Sequence, residues 1–408
     1  MRPLGPIPAA YQALDGELAV GGKTASALVA EAGGTPLFVY SRDLIRERVA
    51  DLRAAMPTRL AIHYAVKANP FAPLLREMAG LVDGFDIASG GELAMVRAAG
   101  IDPAEVSFAG PGKRDDELEA AITAGVTLNL ESENEGRRAL FIAEKIGLIP
   151  RLAIRVNPDF ELKGSGMKMG GGAKPFGLDV GRVPALAREL IDAGAEWRGL
   201  HIFAGSQALD AGAIADAQGN VLDLAARLAR EIGTALPRLN MGGGFGIPYF
   251  AGDAPLDIAA IGSTLRNRFE TLPEALENTQ FCIELGRYLV GEAGVYLTRI
   301  VDRKDSHGQT FLIVDGGLHH QLAASGNFGT VVRRNYPLAI ASRFVAPAIE
   351  EASVVGCLCT PLDRLADQAL LPNAEIGDLV AVFCAGAYGA TASPSAFLGQ
   401  GPAREILV

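Results

Sequence analysis

The chain has 408 residues, 49% hydrophobic and 21% charged, which is long enough for a large globular domain with a smaller companion. A formal net charge of −10, with no basic tract, argues against nucleic acid and anionic membrane as partners. The N-terminal stretch carries no leader pattern, no apolar run reaches the roughly 18 residues of a membrane span, and the four cysteines show no CxxC spacing, so a cytoplasmic protein without a metal site or disulfide framework is expected.

The opening segment holds one strand-like run, 36–40 (PLFVY). From about residue 57 to 287 a single grammar then repeats, in which a short apolar or β-branched run ends in small or polar residues and an amphipathic helical pattern follows. The strand-like runs are 60–66, 84–88, 106–109, 126–130, 152–156, 199–203, 239–241 and 281–284. Helical patterns such as 91–99, 115–124, 133–146, 183–193 and 213–232 lie between them. Eight such pairs predict an α/β fold of the (β/α)8 barrel type. The rival, a doubly wound open sheet, has fewer strands and puts its glycine fingerprint after the first, whereas here the glycine-rich turn follows the seventh. The insert KGSGMKMGGGAKPFG, residues 163–177, reads as one long flexible loop beyond the fifth strand. After about residue 290, strand-like runs at 310–314, 352–358 and 379–383 are separated by loops rather than helices. The expected division is a barrel over 43–284 and a β-sandwich or β-barrel-like domain formed by 1–42 with 285–408.

Barrel enzymes carry their chemistry at the C-terminal ends of the strands. Those ends hold Lys67, Asp86 with Ser89, Lys113, Glu131, Arg155 with Asn157, Phe203 with Ser206, the triplet Gly242, Gly243 and Gly244, and Glu284 with Arg287. A lysine buried there must be paired, neutral or covalently bound, and desolvation would make its amine a nucleophile fit for a Schiff base. The plain alternative is a lysine that snorkels to the barrel mouth. The glycine triplet suits a phosphate, because backbone N–H groups can close around the anion where this fold usually binds one. Glu284 suits the pyridine nitrogen of pyridoxal phosphate (PLP), keeping it protonated and the ring a strong electron sink. A structural Glu284–Arg287 ion pair is the competing reading.

Lysine, glycine turn and carboxylate together resemble the fold-type III PLP decarboxylases, the family of diaminopimelate and ornithine decarboxylases. The matching stretches are TPLFVYS (35–41), YAVKAN (64–69), GFDIASGGEL (84–93), RVNP (155–158), GSQ (205–207), GGGFG (242–246), ELGR (284–287), VDGG (314–317) and GAYGAT (386–391). The resemblance implies that Lys67 carries the cofactor and that Glu284 holds the pyridinium. Ser206, Gly243, Gly244, Gly286 and Tyr388 would bind the phosphate, with Arg287 near it or near the substrate carboxylate. Asp86 and Arg155 would brace lysine and ring. Cys359 would protonate Cα after CO2 leaves, reaching in from the second subunit of a homodimer with shared sites.

Two departures concern the substrate. Phe203 stands where many relatives stack a histidine on the cofactor ring, and the histidine's role does not pass to His201, two residues earlier. After Cys359, diaminopimelate decarboxylases carry a Glu-Ser-Gly segment whose glutamate grips the distal ammonium. Here Thr360, Pro361 and Leu362 follow and supply no such charge, and Asp363 would grip the substrate if the loop is re-aimed. The substrate-carboxylate arginine falls in SGNFGTVVRRNYP, where Arg333 and Arg334 both qualify beside Tyr336. These departures resemble a branch that includes exosortase-system-associated decarboxylases and enzymes acting on a glutamyl group tethered to an acyl carrier protein. The expected activity is therefore decarboxylation of an amino-acid α-carboxylate on a substrate other than free diaminopimelate, such as a carrier-tethered or otherwise modified amino acid. True diaminopimelate decarboxylation is the alternative, and a racemase of this fold is disfavoured by Glu284, because racemases usually set an arginine at the pyridine nitrogen.

Overall fold

The computed structural model describes residues 1–326 and 333–408. It divides into two compact units, one of residues 49–246 and 256–286, the other of residues 1–48, 247–255 and 287–408.

The first unit is the expected barrel. Its strands are Leu60–Ala65, Gly84–Ile87, Val106–Phe108, Thr127–Leu130, Arg151–Asn157, Glu196–Ile202, Arg238–Gly243 and Gln280–Leu285. Each pairs in parallel with the next, and the eighth pairs with the first to close the ring. Helices follow where their ends are specified. Ser89 and Ser132 cap Gly90–Ala98 and Glu133–Ile146 by accepting from the N–H of Glu92 and Glu135, and Gly125 and Gly147 close their helices in the left-handed conformation.

Strand alternation divides the barrel's residues into two sets. One set is apolar and packs against the helices. Leu130, for instance, lies beside Gly136, Leu186 and Leu190, at a point where helix and strand approach so closely that a Cβ on Gly136 would sit 3.4 Å from each leucine. The other set faces the opposite way and is polar near the C-terminal ends: His63, Asp86, Ser107, Asn129, Arg155, His201, Asn240 and Glu284, all buried. Barrel interiors are usually filled by Val, Ile and Leu. Eight polar side chains in that layer are costly unless they satisfy one another, and this places the chemistry.

The insert after the fifth strand is tied down rather than free. Met167–Lys168 pairs antiparallel with Gly205–Ser206, and Leu178–Asp179 adds in parallel to the fifth strand. Between these, Asn157 accepts from Gly171 N–H at 3.2 Å and donates to the Gly172 carbonyl at 2.9 Å. The glycines there supply turns that bring backbone groups to Asn157, so their number does not signal looseness.

The second unit is mostly β. Its strands run in the order Leu338–Ile340, Leu379–Val382, Gly294–Ser306, Gln309–Val314, Glu350–Val355 and Arg364–Leu371. Leu37–Tyr40 pairs with the first half of the long strand and also with Arg404–Leu407. Four of these strands, Gly294–Ser306, Leu338–Ile340, Arg364–Leu371 and Arg404–Leu407, escape the sequence pattern, two of them for a physical reason. Gly294–Ser306 is buried over its apolar start and exposed over its charged end, so no single alternation runs through it. Arg364–Leu371 carries the buried Asp367, which reads as a loop residue until it meets Arg2 at 3.1 Å. No helix among the described residues is long and apolar enough to cross a membrane.

Candidate active site

Lys67 follows the first barrel strand in a short 3-10 turn, Val66–Ala68, and its side chain is exposed. Burial therefore does not mark this lysine; its place at the strand end does. Its Nζ stands 5.7 Å from the centre of the Phe203 ring, which ends the sixth strand and is 9% exposed. The other strand-end lysine, Lys113, is engaged on every donor. Its Nζ gives hydrogen bonds to Glu135 at 2.6 Å, the Gly110 carbonyl at 2.8 Å and the Asn129 carbonyl at 2.9 Å. Burial pushes its amine down despite Glu135. Lys113 is a structural residue.

Glu284 does not need Arg287. Its Oε2 lies 3.2 Å from His201 Nε2 and accepts from Asn240 Nδ2 at 3.2 Å, so the sixth, seventh and eighth strands meet at one oxygen. Burial alone would raise this carboxyl, but His201, backed by the charges of Lys67 and Arg155, reverses that and holds it well below its ordinary value. His201 was the residue the sequence left without a role. Its partner is distant in the chain, and only the barrel's closure brings the two together.

A second buried chain crosses the first four strands. His63 Nδ1 lies 3.2 Å from Asp86 Oδ2, Ser107 donates to the other Asp86 oxygen, and Asn129 donates to Ser107 at 3.1 Å. Burial lowers the His63 pKa, but Cys282 and Asp86 more than reverse this and hold it well above its usual value. Gly84 makes room for the ring, since a Cβ there would fall 2.6 Å from His63 Nε2. On the fifth strand Arg155 donates to Glu131 at 2.8 Å, and Glu131 also accepts from Gly177 N–H at 2.7 Å. Despite burial, that arginine holds the Glu131 carboxyl low.

The loops after the sixth and seventh strands interlock beside these groups. Ala208 N–H donates to the Gly244 carbonyl at 2.9 Å, and Gly246 N–H donates back to Ala208 at 2.8 Å, which brings the GSQ turn containing Ser206 to the glycine triplet. Gly242 and Gly244 have φ of +70° and +88°, conformations that favour glycine. A Cβ on Gly243 would fall 1.9 Å from the Glu284 carbonyl oxygen, and one on Gly286 would fall 2.7 Å from Ala68 Cβ. Gly243→Ala is expected to cost about 3 kcal/mol or more, read as a lowered midpoint in denaturant unfolding.

The β unit holds the remaining candidates. Arg287 donates to the Tyr249 hydroxyl at 2.9 Å and lies 4.8 Å from the centre of the Tyr388 ring. Burial and the nearby Arg287 pull the Tyr249 hydroxyl in opposite directions, and burial wins, pushing it up to about 12. Tyr336 packs on Tyr249 with ring centres 4.8 Å apart. The two arginines of the RRNYP segment diverge: Arg333 donates to the Arg364 carbonyl, while Arg334 is exposed and lies 3.7 Å from the centre of the Phe250 ring. Residues 327–332 of that segment lie outside the described residues.

Cys359 is exposed in a bend that follows Glu350–Val355, so neither it nor Cys357 lies on the strand. Asp363 shapes that bend, contrary to the expectation that it grips the substrate. It is 2% exposed, and its two oxygens accept from the N–H groups of Leu318 at 2.6 Å and Leu358 at 2.9 Å. Burial raises its carboxyl against those bonds.

The barrel residues fit PLP on three counts. A strand-end lysine stands free of ion pairs among the described residues, a buried carboxylate is held anionic, and glycine turns leave no Cβ over their amides. Comparison with known proteins agrees. Residues 42–291 match the family model described as "Pyridoxal-dependent decarboxylase, pyridoxal binding domain". The L-glutamyl-[BtrI acyl-carrier protein] decarboxylase of Niallia circulans is 36% identical over 91% of this chain and 88% of its own length. The diaminopimelate decarboxylase of Aquifex aeolicus is 35% identical over 97% of this chain and 91% of its own. The crystal structure of M. jannaschii diaminopimelate decarboxylase with L-lysine superposes with a TM-score of 0.87 at 26% identity, covering 98% of this chain and 93% of that one. The chain thus belongs to the PLP-dependent decarboxylases of the diaminopimelate and ornithine decarboxylase family: it is an amino-acid decarboxylase with PLP as its cofactor.

Proposed function

We propose that the substrate of this decarboxylase has no free distal ammonium, and that it is a glutamyl group tethered to a carrier protein. One observation carries the reading: Asp363, the carboxylate that follows Cys359 in the chain, has both oxygens bound to backbone N–H groups. Thr360, Pro361 and Leu362 offer no charge. The relative acting on L-glutamyl-[BtrI acyl-carrier protein] supports the same choice. Free diaminopimelate is the second reading, favoured by the diaminopimelate decarboxylases among the relatives.

The bound cofactor supplies an electron-poor ring that takes up the electrons left when the carboxylate departs as CO2. The chain does the rest. Lys67 would hold the cofactor through its amine. Glu284 would keep the ring nitrogen protonated, and Phe203 would offer the ring an aromatic surface that donates no hydrogen bond. Asp86 and Arg155 brace the lysine and ring. Gly243, Gly244, Gly286 and Ser206 take the phosphate, with Arg287 and Tyr388 completing its charge balance. Arg334, with Tyr336 nearby, meets a substrate carboxylate. Arg333 is less suited to that task because its guanidinium is turned to a backbone carbonyl. Cys359 delivers the proton to Cα from the second subunit of a homodimer, a task suited to an exposed thiol. We place the enzyme in the cytoplasm, where four free cysteines stay reduced.

Cys359→Ala should retain the cofactor absorbance and lose turnover by roughly a hundredfold to ten-thousandfold; decarboxylation at the wild-type rate would show the donor to be another group. The substrate is tested by measuring CO2 release from PLP-loaded enzyme given meso-diaminopimelate, lysine, ornithine, arginine and a glutamyl–carrier conjugate. Turnover of the conjugate alone is expected. Efficient turnover of free diaminopimelate would overturn the proposal.

A further inference from the structure

Glu284 has two oxygens and, on the reading above, one task. Its Oε2 accepts a hydrogen bond from Asn240 and lies in ion-pair contact with His201 Nε2, each at 3.2 Å, while Oε1 makes no hydrogen bond among the described residues. The division is built into the barrel. His201 and Asn240 are level with each other on the sixth and seventh strands, and both are buried, at 1% and 5% exposed. Asn240 is itself fixed, because its Oδ1 accepts from Gly242 N–H at 2.9 Å, the first amide of the glycine turn. A glutamate left to rotate would present either oxygen to the mouth, and its buried carboxyl would drift towards the neutral acid.

We propose that His201 is a positioning residue for decarboxylation: it holds Glu284 by Oε2, so that Oε1 is presented, as the anion, to the pyridine nitrogen of the cofactor. The inference rests on the assignment of Glu284 to that nitrogen and adds the group that enforces it. It accounts for a second feature of the sixth strand. Phe203 occupies the place where many relatives stack a histidine and has no proton to offer, so the strand's one imidazole acts on Glu284, two residues earlier.

The other charged and titratable groups facing this carboxylate set the background of a pH experiment. They are Arg155 on the fifth strand and Lys67 beyond the first, both of which favour the anion. His63 is level with Glu284 on the first strand and engages Asp86 and Cys282. None of these contacts is removed by changing His201.

His201→Leu takes away the donor, and His201→Gln keeps a donor that does not titrate. Both variants, with wild type and Glu284→Gln, would be loaded with PLP isotopically labelled at the ring nitrogen and followed by NMR across pH, beside the pH profile of kcat. In wild type the nitrogen should stay protonated through the neutral range and lose its proton only in base. In His201→Leu the pH at which it loses its proton should move downward by about one unit or more, while the acid limb of kcat moves upward. His201→Gln should restore the nitrogen signal most of the way to wild type. Wild-type titration curves in both His201 variants would overturn the inference while leaving Glu284 in place. A nitrogen that remains protonated in Glu284→Gln would instead remove the assignment on which the inference stands.

Discussion

Lys67→Ala should abolish turnover, by at least about four orders of magnitude, and should remove the visible absorbance of the PLP-loaded protein. It should do so with the fold intact. The side chain is exposed, and among the described residues its Nζ makes no hydrogen bond or ion pair, so its loss opens no cavity and orphans no buried partner. Substitutions at such positions usually change stability by no more than about 0.5 kcal/mol. The Tm should therefore stay near wild type in the absence of cofactor. Lys113→Ala makes the contrast: it removes an amine that bonds Glu135 and two carbonyls, and should cost about 3–5 kcal/mol through the uncompensated charge left behind. Activity lost without stability in the one, and stability lost in the other, separates the chemical lysine from the structural one.

Glu284→Gln should lower kcat by about a hundredfold to a thousandfold while changing KM far less. The amide keeps the shape of the side chain and its contact with Asn240, but it cannot keep a ring nitrogen protonated. It also leaves His201 beside a neutral group, so a stability loss of about 1–3 kcal/mol should accompany the rate effect. In wild type the Glu284 carboxyl is held low by His201, Lys67 and Arg155 against its burial. The carboxylate is thus present across the neutral range and is lost only in strong acid. An acid limb near neutrality in the wild-type kcat profile would have to come from a different group.

Much of this site could be read from the chain because barrel grammar puts chemistry at strand ends. A short apolar run followed by an amphipathic helical pattern located eight strands and five helices to within a few residues, and the C-terminal ends of the strands gave Lys67, Asp86, Arg155, Phe203 and Glu284. What could not be read depended on closure. His201 meets Glu284 only because the sixth and eighth strands flank the seventh, and His63 meets Asp86 only through the pairing of the first two. Asp363 looked like a spare carboxylate in sequence because its partners are the amides of Leu318 and Leu358, which no side-chain pattern reveals. The glycine-rich insert looked flexible for a similar reason: its anchors are backbone bonds to Asn157, Glu131 and Ala204. In the β unit, the long strand Gly294–Ser306 changes from buried to exposed along its length, which erases the alternation that would have announced it.

The claim on which everything else depends is that PLP is held by Lys67, and one measurement addresses it directly. PLP-loaded protein is reduced with borohydride, digested, and mapped by mass spectrometry. The phosphopyridoxyl mass should be found on the peptide containing YAVKAN, at Lys67, and on no other lysine. The label on Lys113 or another lysine, with Lys67 unmodified, would contradict the assignment of this strand end as the reactive centre.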